Sequence, residues 1–310
     1  MIQVGQYPAP SHTIAHISDT HLLGGGRRLY GAVDTIHHLG QALAQLERSI
    51  ARPEAIVFTG DLADLGEPDA YERLREVVEP AAERMNAQII WVLGNHDERA
   101  SYSRVLFGQE SDAPQDRVYD INGLRIVSFD TTVPGYHHGD ITDDQLDWLA
   151  DVLASPAPHG TIIAVHHPPI PTPLLEAMGM LELQHQERLA GVIQGTDVRA
   201  ILAGHLHYST HSTFAGVPVS VASATCYTLD LSAEDRILSG VDFGQSFNVV
   251  HVYENQLVHS IVPVGDTTEV TGVPAAGWEQ IAGMTPEQRM DVFSRKDSDF
   301  NRASAAQYAE

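Results

Sequence analysis

The chain has 310 residues, 43% of them hydrophobic and 19% charged, with 41 acidic against 18 basic side chains and a formal net charge of −23. That apolar content suffices for a buried core, so disorder throughout is excluded, and no stretch approaches the about 18 uninterrupted apolar residues of a membrane span. The lone Cys226 excludes an intrachain disulfide framework and a multi-cysteine zinc site, while the acidic balance and the single lysine, Lys296, disfavour a nucleic acid polymer as partner.

The opening MIQVGQYPAPSH has no basic end leading into an apolar run, so no secretory signal and a cytoplasmic protein are expected. In chain order, the runs 13–18, 55–60, 88–94, 161–166 and 198–204 read as buried strands. Between them, 34–50 and 69–85 have helical length and spacing. Residues 117–129 read as a hairpin around Asn122-Gly123, a pair that favours a type I′ turn. Thr142 and Gln145 form a capping-box pattern ahead of Leu146, Leu149 and Leu153, which predicts a helix over 142–154. Residues 213–222 and 247–263 read as antiparallel strands, the latter turning at Glu254-Asn255. Beyond about 265 the pattern weakens to one short helix over 285–295 and a mobile tail. The expected fold is α/β, a four-layer αββα sandwich of two mixed sheets flanked by helices, with the catalytic domain over 1–264 and an extension or tail over 265–310.

The strands share a feature. Each of the five buried runs ends in Asp, Asn or His: Asp19-Thr20-His21, Gly60-Asp61 with Asp64 following, Gly94-Asn95-His96-Asp97, His166-His167-Pro168, and Gly204-His205-Leu206-His207. The carboxyl ends of such strands are where ligand sites form. Residues two apart in extended chain share a side, so Asp19 and His21 are expected to address one metal, and His205 and His207 two neighbouring ions. Glycine before Asp61, Asn95 and His205 allows sharp turns and close backbone approach. Carboxylate, amide and imidazole donors suit manganese, iron, cobalt or zinc, and argue against copper(I) or an iron–sulfur centre. There are more donors than the three or four a single zinc-type site takes. They fit two ions about 3.5–4 Å apart that share a carboxylate and clamp a displacement at phosphorus.

The series DTH, GDLAD, GNHD, HHP and GHLH, spanning 19 to 207, resembles the calcineurin-like metallophosphoesterases. Within them the ISDTHL opening is similar to class III cyclic nucleotide phosphodiesterases. The resemblance implies that Asp19, His21, Asp61 and His207 bind a first metal, typically iron, and that Asp61, Asn95, His167 and His205 bind a second, typically manganese, with Asp61 bridging. It implies a metal-bridging hydroxide as nucleophile, His96 as the group that stabilises or protonates the leaving alkoxide, and Asp64 supporting from behind. Of His166 and His167, the expected ligand is His167, beside Pro168, with His166 packed on the opposite strand face. Substrate contacts are expected from Asn95, His96, His207 and His138, the last on the loop PGYHHG. Where protein phosphatases of this family read GDYVDRG, with an arginine that grips a monoester dianion, this chain reads GDLADLG, which favours singly charged diesters.

Blander readings stand beside these. Asp64 and Asp97 also fit helix caps. Tyr136 and Tyr208 are candidates to stack a base, against ordinary packing. His16 reads as a core residue held by hydrogen bonds, and His37, His38, His185, His251 and His259 as structural or surface residues. The expected activity is hydrolysis of 3′,5′-cyclic nucleotides such as cyclic AMP to 5′-monophosphates by an enzyme that is a possible homodimer. The rivals are 2′,3′-cyclic nucleotides or glycerophosphodiesters, then a DNA nuclease, then a catalytically silent scaffold.

Overall fold

The structure is a computed structural model that describes residues 3–266, 268–272 and 277–306. Two compact units are present, Pro10–Gly265 and the pair of segments Met1–Ala9 with Asp266–Glu310. In the larger unit, strands β1 (His12–Ile17), β2 (Ala55–Thr59) and β3 (Gln88–Val92) run parallel, as the apolar runs predicted. The hairpin of β12 (Ser246–Val252) and β13 (Leu257–Pro263) adds antiparallel to β1, giving the order β13-β12-β1-β2-β3. The second sheet has the order β4-β5-β6-β7-β9-β8, built from β4 (Arg117–Ile121), β5 (Leu124–Ser128), β6 (Thr161–Ala164), β7 (Val198–Ala203), β8 (Thr210–Phe214) and β9 (Val217–Val221). Asn122 and Gly123 both have positive φ, 51° and 94°, as a type I′ turn between β4 and β5 requires. A two-stranded ribbon, β10 (Thr228–Leu229) with β11 (Gly240–Val241), was not expected.

Period-two alternation sorts the side chains into layers. Ile14, Val57, Ile90 and Val92 meet Ile126, Ile162, Ala200 and Leu202 between the sheets. On the outer face of the first sheet, Ile17, Ile56 and Phe58 pack against α1 (Thr35–Arg48) and α2 (Pro68–Met85), with Tyr102 from α3 (Arg99–Phe107). On the outer face of the second, Val127, Ile163 and Ile201 pack against α4 (Asp143–Leu153) and α5 (Gln186–Ile193). The architecture is therefore the expected four-layer αββα arrangement, and α4 starts in the predicted capping box of Thr142 and Gln145. His16 bonds through Nε2 to Thr59 Oγ1 at 2.9 Å. Among the described residues no helix is long and apolar enough to cross a membrane.

The smaller unit contains the short helix expected over 285–295, with further helices on either side of it. It contains α6 (Gly277–Ala282), α7 (Pro286–Arg289) continuing as a π-turn over Met290–Ser294, and α8 (Asp299–Ala306). Thr285 and Gln288 form a capping box for α7, and the Phe293 and Phe300 rings meet edge-on 4.8 Å apart. The helices over Gly277–Ala282 and Asp299–Ala306 were not expected, because they are short and lack a long apolar stripe.

Candidate metal centre

The parallel strands of both sheets deliver their carboxyl ends to one place. Asp19 and His21 follow β1, Asp61 and Asp64 follow β2, Asn95 and His96 follow β3, His166 and His167 follow β6, and His205 and His207 follow β7. The expected device of residues alternating in extended chain is corrected here. Asp19, His21, Asp61, His205 and His207 have φ of 53°, 43°, 49°, 73° and 54°, so each sits in a left-handed turn just past its strand. That conformation costs an L-residue roughly 1–2 kcal/mol, and five in one cluster mark a site held under strain by the surrounding sheets. The glycines act by close approach. A Cβ at Gly94 would overlap the Asp61 backbone nitrogen and carboxylate, and one at Gly204 would overlap Ser18 Oγ and crowd Asp19.

Each imidazole is anchored by one ring nitrogen and turns the other inward. His21 Nδ1 donates to Asp64 Oδ1 (2.9 Å), His207 Nδ1 to the Tyr227 carbonyl (3.0 Å), His166 Nδ1 to the Thr59 carbonyl (2.7 Å), and His205 Nε2 to the Leu181 carbonyl (3.0 Å). The inward nitrogens face acceptors. His21 Nε2 and His166 Nε2 each lie 3.3 Å from Asp61 Oδ2, and His207 Nε2 lies 3.4 Å from Asp19 Oδ1. His166 Nε2 is also 2.9 Å from Asn95 Oδ1 and 3.2 Å from His205 Nδ1. The buried His21 Nε2 has no hydrogen-bond partner. Lone pairs gathered against carboxylates, with the outer nitrogens tied down, are what metal-binding histidines require. The residues fit two cations. One candidate set is Asp19, His21, Asp61 and His207, whose donor atoms lie within 4.8 Å of one another. The other gathers around His166 Nε2, with Asp61 Oδ2, Asn95 Oδ1 and His205 Nδ1 at 3.3, 2.9 and 3.2 Å, so that Asp61 borders both.

His167, the expected ligand, differs from His166 in its hydrogen bonds. It contributes a nitrogen within 4.8 Å of His166 and His205, but protein oxygens occupy both of its ring nitrogens. Its Nδ1 meets Thr131 Oγ1 at 2.8 Å and its Nε2 the His137 carbonyl at 3.2 Å. The reason is alternation along β6. Ile162 and Ala164 face the inter-sheet layer and Ile163 and Val165 the helices. His166 continues the first series toward Asp61, and His167 continues the second.

His138 lies on the loop after β5. Its ring packs edge-on against Tyr136, 5.3 Å away. Its neighbour His137 is the residue at the centre: Asn95 Nδ2 donates to His137 Nδ1 at 2.8 Å, and the His96 and His137 rings are 4.9 Å apart. Asp64 lies behind His21 as expected, and its carbonyl accepts a bond from His96 Nδ1 at 2.9 Å, leaving His96 Nε2 free to face outward. Asp97 neither orients His96 nor caps a helix. It accepts bonds from Leu62, Ala63 and Gly94 backbone nitrogens and from Tyr71 Oη, and so ties the loop after β2 to the loop after β3. Tyr208 is buried in the second sheet's outer core, whereas Tyr136 is exposed. Cys226 Sγ lies 3.8 Å from His207 Nδ1, and burial pushes its thiol up to about 12, which keeps it neutral.

Burial disfavours a charged His166, but Asp61, by charge and hydrogen bond, overrules it and pushes the imidazole up to about 9. Burial holds His207 down at about 4 and His205 well below the usual histidine range. Burial disfavours a charged His21 as well, but Cys226, Asp61 and Asp64 overrule it and hold its imidazole well above the usual range. Without cations, then, protons on His166 and His21 balance the buried carboxylates, and because cations must displace them, affinity is expected to rise by about tenfold or more per pH unit between about pH 6 and pH 8. Calorimetric titration with manganese across that range checks this, and a flat affinity would contradict it.

A cavity of about 220 Å³ opens over the centre, lined by His21, Asp61, Asn95, His96, His137, His205 and His207 with Met178, Leu181, Tyr227, Leu229 and Leu238. No arginine or lysine lines it. Arg99, which lines an adjoining cavity, is committed to Asp130 Oδ2 (3.0 Å) and to the carbonyls of Thr132 (3.0 Å) and Asp112 (3.3 Å).

Residues 12–209 match the family model of the calcineurin-like phosphoesterases, and the chain belongs to that family. It is 56% identical over 265 residues, covering 85% of this chain and 83% of the relative, to the cAMP/cGMP dual specificity phosphodiesterase MT0825 of Mycobacterium tuberculosis (strain CDC 1551 / Oshkosh). It is 52% identical, over 85% of this chain and 87% of the relative, to a probable cyclic nucleotide phosphodiesterase of Rhodococcus erythropolis (strain PR4 / NBRC 100887). Among solved structures, a dimetal phosphatase from Danio rerio shares the fold, with a TM-score of 0.59 at 18% identity, covering 82% of this chain and 96% of that one.

Proposed function

We propose that the protein is a dinuclear metal-dependent phosphodiesterase that opens 3′,5′-cyclic nucleotides, cyclic AMP among them, to 5′-monophosphates. The observation that carries this reading is the Asp19, His21, Asp61 and His207 set and the His166 and His205 cluster on either side of Asp61, beneath a cavity that no arginine or lysine lines. The names of the two bacterial relatives support the substrate class. Bound cations, iron and manganese or alternatively zinc or cobalt, would supply Lewis acidity and an activated water. The chain's own residues do the rest. Asp19, His21, Asp61, Asn95, His166, His205 and His207 hold the cations. Asp64, Thr59, Leu181 and Tyr227 fix the imidazoles through their outer nitrogens. His96, anchored through Nδ1, presents Nε2 to the departing ribose oxygen as proton donor, and His137 orients the Asn95 amide. With no free arginine to grip a dianion, the cavity favours a singly charged diester over a monoester.

The test is hydrolysis of cyclic AMP, cyclic GMP, 2′,3′-cyclic AMP, a glycerophosphodiester, bis(p-nitrophenyl) phosphate and its monoester, after chelation and again after addition of manganese. Turnover is expected to vanish on chelation and return with metal, with 3′,5′-cyclic nucleotides giving the highest kcat/KM. Monoester preference would overturn the diester reading. Preference for another small diester would keep the chemistry and change the substrate. Replacing Asp64 by Asn, which weakens the hold on His21, is expected to lower metal affinity about 10–100-fold, read by competition with a chelator.

A further inference from the structure

The cavity over the metal centre, at about 220 Å³, is smaller than the about 300–1,000 Å³ of sites that enclose a small organic ligand. It suffices for two cations and a phosphoryl group. A second cavity, of about 580 Å³, adjoins it across Asn95, His96 and His137, which line both. Its far walls are Leu65, Glu98, Asp112, Val133 and Tyr136. We infer that this second cavity is the nucleoside subsite, and that Tyr136 is its base-stacking wall. The inference rests on the phosphodiesterase reading given above and extends it to residues that neither the motifs nor the relatives identify.

Three observations converge. The first is size, since only the larger cavity has room for a ribose and a base. The second is direction. His96 stands between the centre and this cavity with Nδ1 tied to the Asp64 carbonyl, so a leaving oxygen that takes a proton from Nε2 carries its ribose to the His96 side. The third is chemistry. Tyr136 is 62% exposed, follows Gly135 (φ 80°) at the tip of the loop, and has the His138 ring against it edge-on. That contact leaves a flat apolar face available. Glu98 and Asp112 make the wall anionic, and the guanidinium of Arg99, which also lines it, is already committed to Asp130 and to two carbonyls. The ligand that suits such a wall is an uncharged aromatic base rather than a second phosphate. Stacking on an aromatic ring tolerates any base, because every base has a π-face.

The experiment compares the metal-loaded wild type with Tyr136→Ala and Tyr136→Phe on cyclic AMP, cyclic GMP and a base-free 3′,5′-cyclic ribose phosphate. For both nucleotides Tyr136→Ala is expected to raise KM about tenfold, with kcat nearly unchanged, and Tyr136→Phe to restore it. The base-free diester is expected to show no difference among the three proteins. Equal KM for wild type and Tyr136→Ala on the nucleotides overturns the subsite while leaving the phosphodiesterase reading intact. An increase in KM that extends equally to the base-free diester also overturns it, by making Tyr136 a general structural support. Wild-type turnover of the base-free diester but of neither nucleotide would overturn the substrate reading and the subsite together.

Discussion

Replacing His166 by alanine is expected to lower metal-dependent diester hydrolysis by about 10³-fold or more, whereas the same replacement at His167 leaves the dinuclear centre loaded. Loss of a single preorganised group that stabilises the transition state already costs about 10²–10³-fold. His166 does more than that. Its Nε2 sits 3.3 Å from Asp61 Oδ2, 2.9 Å from Asn95 Oδ1 and 3.2 Å from His205 Nδ1, so its removal dismantles the second donor set. His167 joins Thr131 to the His137 carbonyl. Its loss strands buried polar partners and is expected to lower stability by about 1–3 kcal/mol. Metal content by elemental analysis separates the two: the His166 variant should retain about half the metal of the wild type and the His167 variant all of it. The opposite pattern would return the ligand role to His167.

A single methyl group at position 94 is expected to have the second largest effect. The Cβ of Gly94→Ala would occupy the space of the Asp61 backbone nitrogen and carboxylate, which are backbone-anchored and have nowhere to go. Overpacking of this kind costs about 1–3 kcal/mol, and a shift of about 1 Å in a catalytic group costs on the order of 10²-fold in rate. The variant is therefore expected to melt several degrees lower, and to remain about 100-fold less active even with manganese in excess, because the bridging carboxylate itself is displaced. Thermal melts and saturation kinetics with metal measure both effects. Gly40→Ala, inside α1 with nothing within 4 Å of the new Cβ, is the control that should keep full activity and melt no lower than the wild type. Wild-type activity in Gly94→Ala would show that the loop after β3 can yield.

Much of this protein is legible in its sequence for a local reason. A buried strand writes itself as a short apolar run, and 13–18, 55–60, 88–94, 161–166 and 198–204 all contain strands. The Asn122-Gly123 turn and the Thr142–Gln145 box are equally local, since each is settled by the backbone preferences of a few neighbours. The chemistry of the site was legible as well, because Asp, Asn and His at the ends of five strands is a pattern of residue types. The helices of Gly277–Ala282 and Asp299–Ala306 were not legible, and neither was the ribbon of Thr228–Leu229 with Gly240–Val241.

What the sequence by itself determined is therefore the set of strands, their layered pairing, and the kind of donor each one carries to its carboxyl end. Only the tertiary structure decided which donors meet. The choice of His166 over His167, and of His137 over His138, depends on which sheet lies opposite and which carbonyl captures each ring nitrogen. The left-handed turns at Asp19, His21, Asp61, His205 and His207 belong to the same class. Aspartate and histidine tolerate that backbone better than most residues, but so weak a local preference does not select it. It persists because contacts between strands far apart in sequence, such as the His205 amide on the Asp19 carboxylate at 3.1 Å, stabilise the whole cluster by more than each strained residue costs.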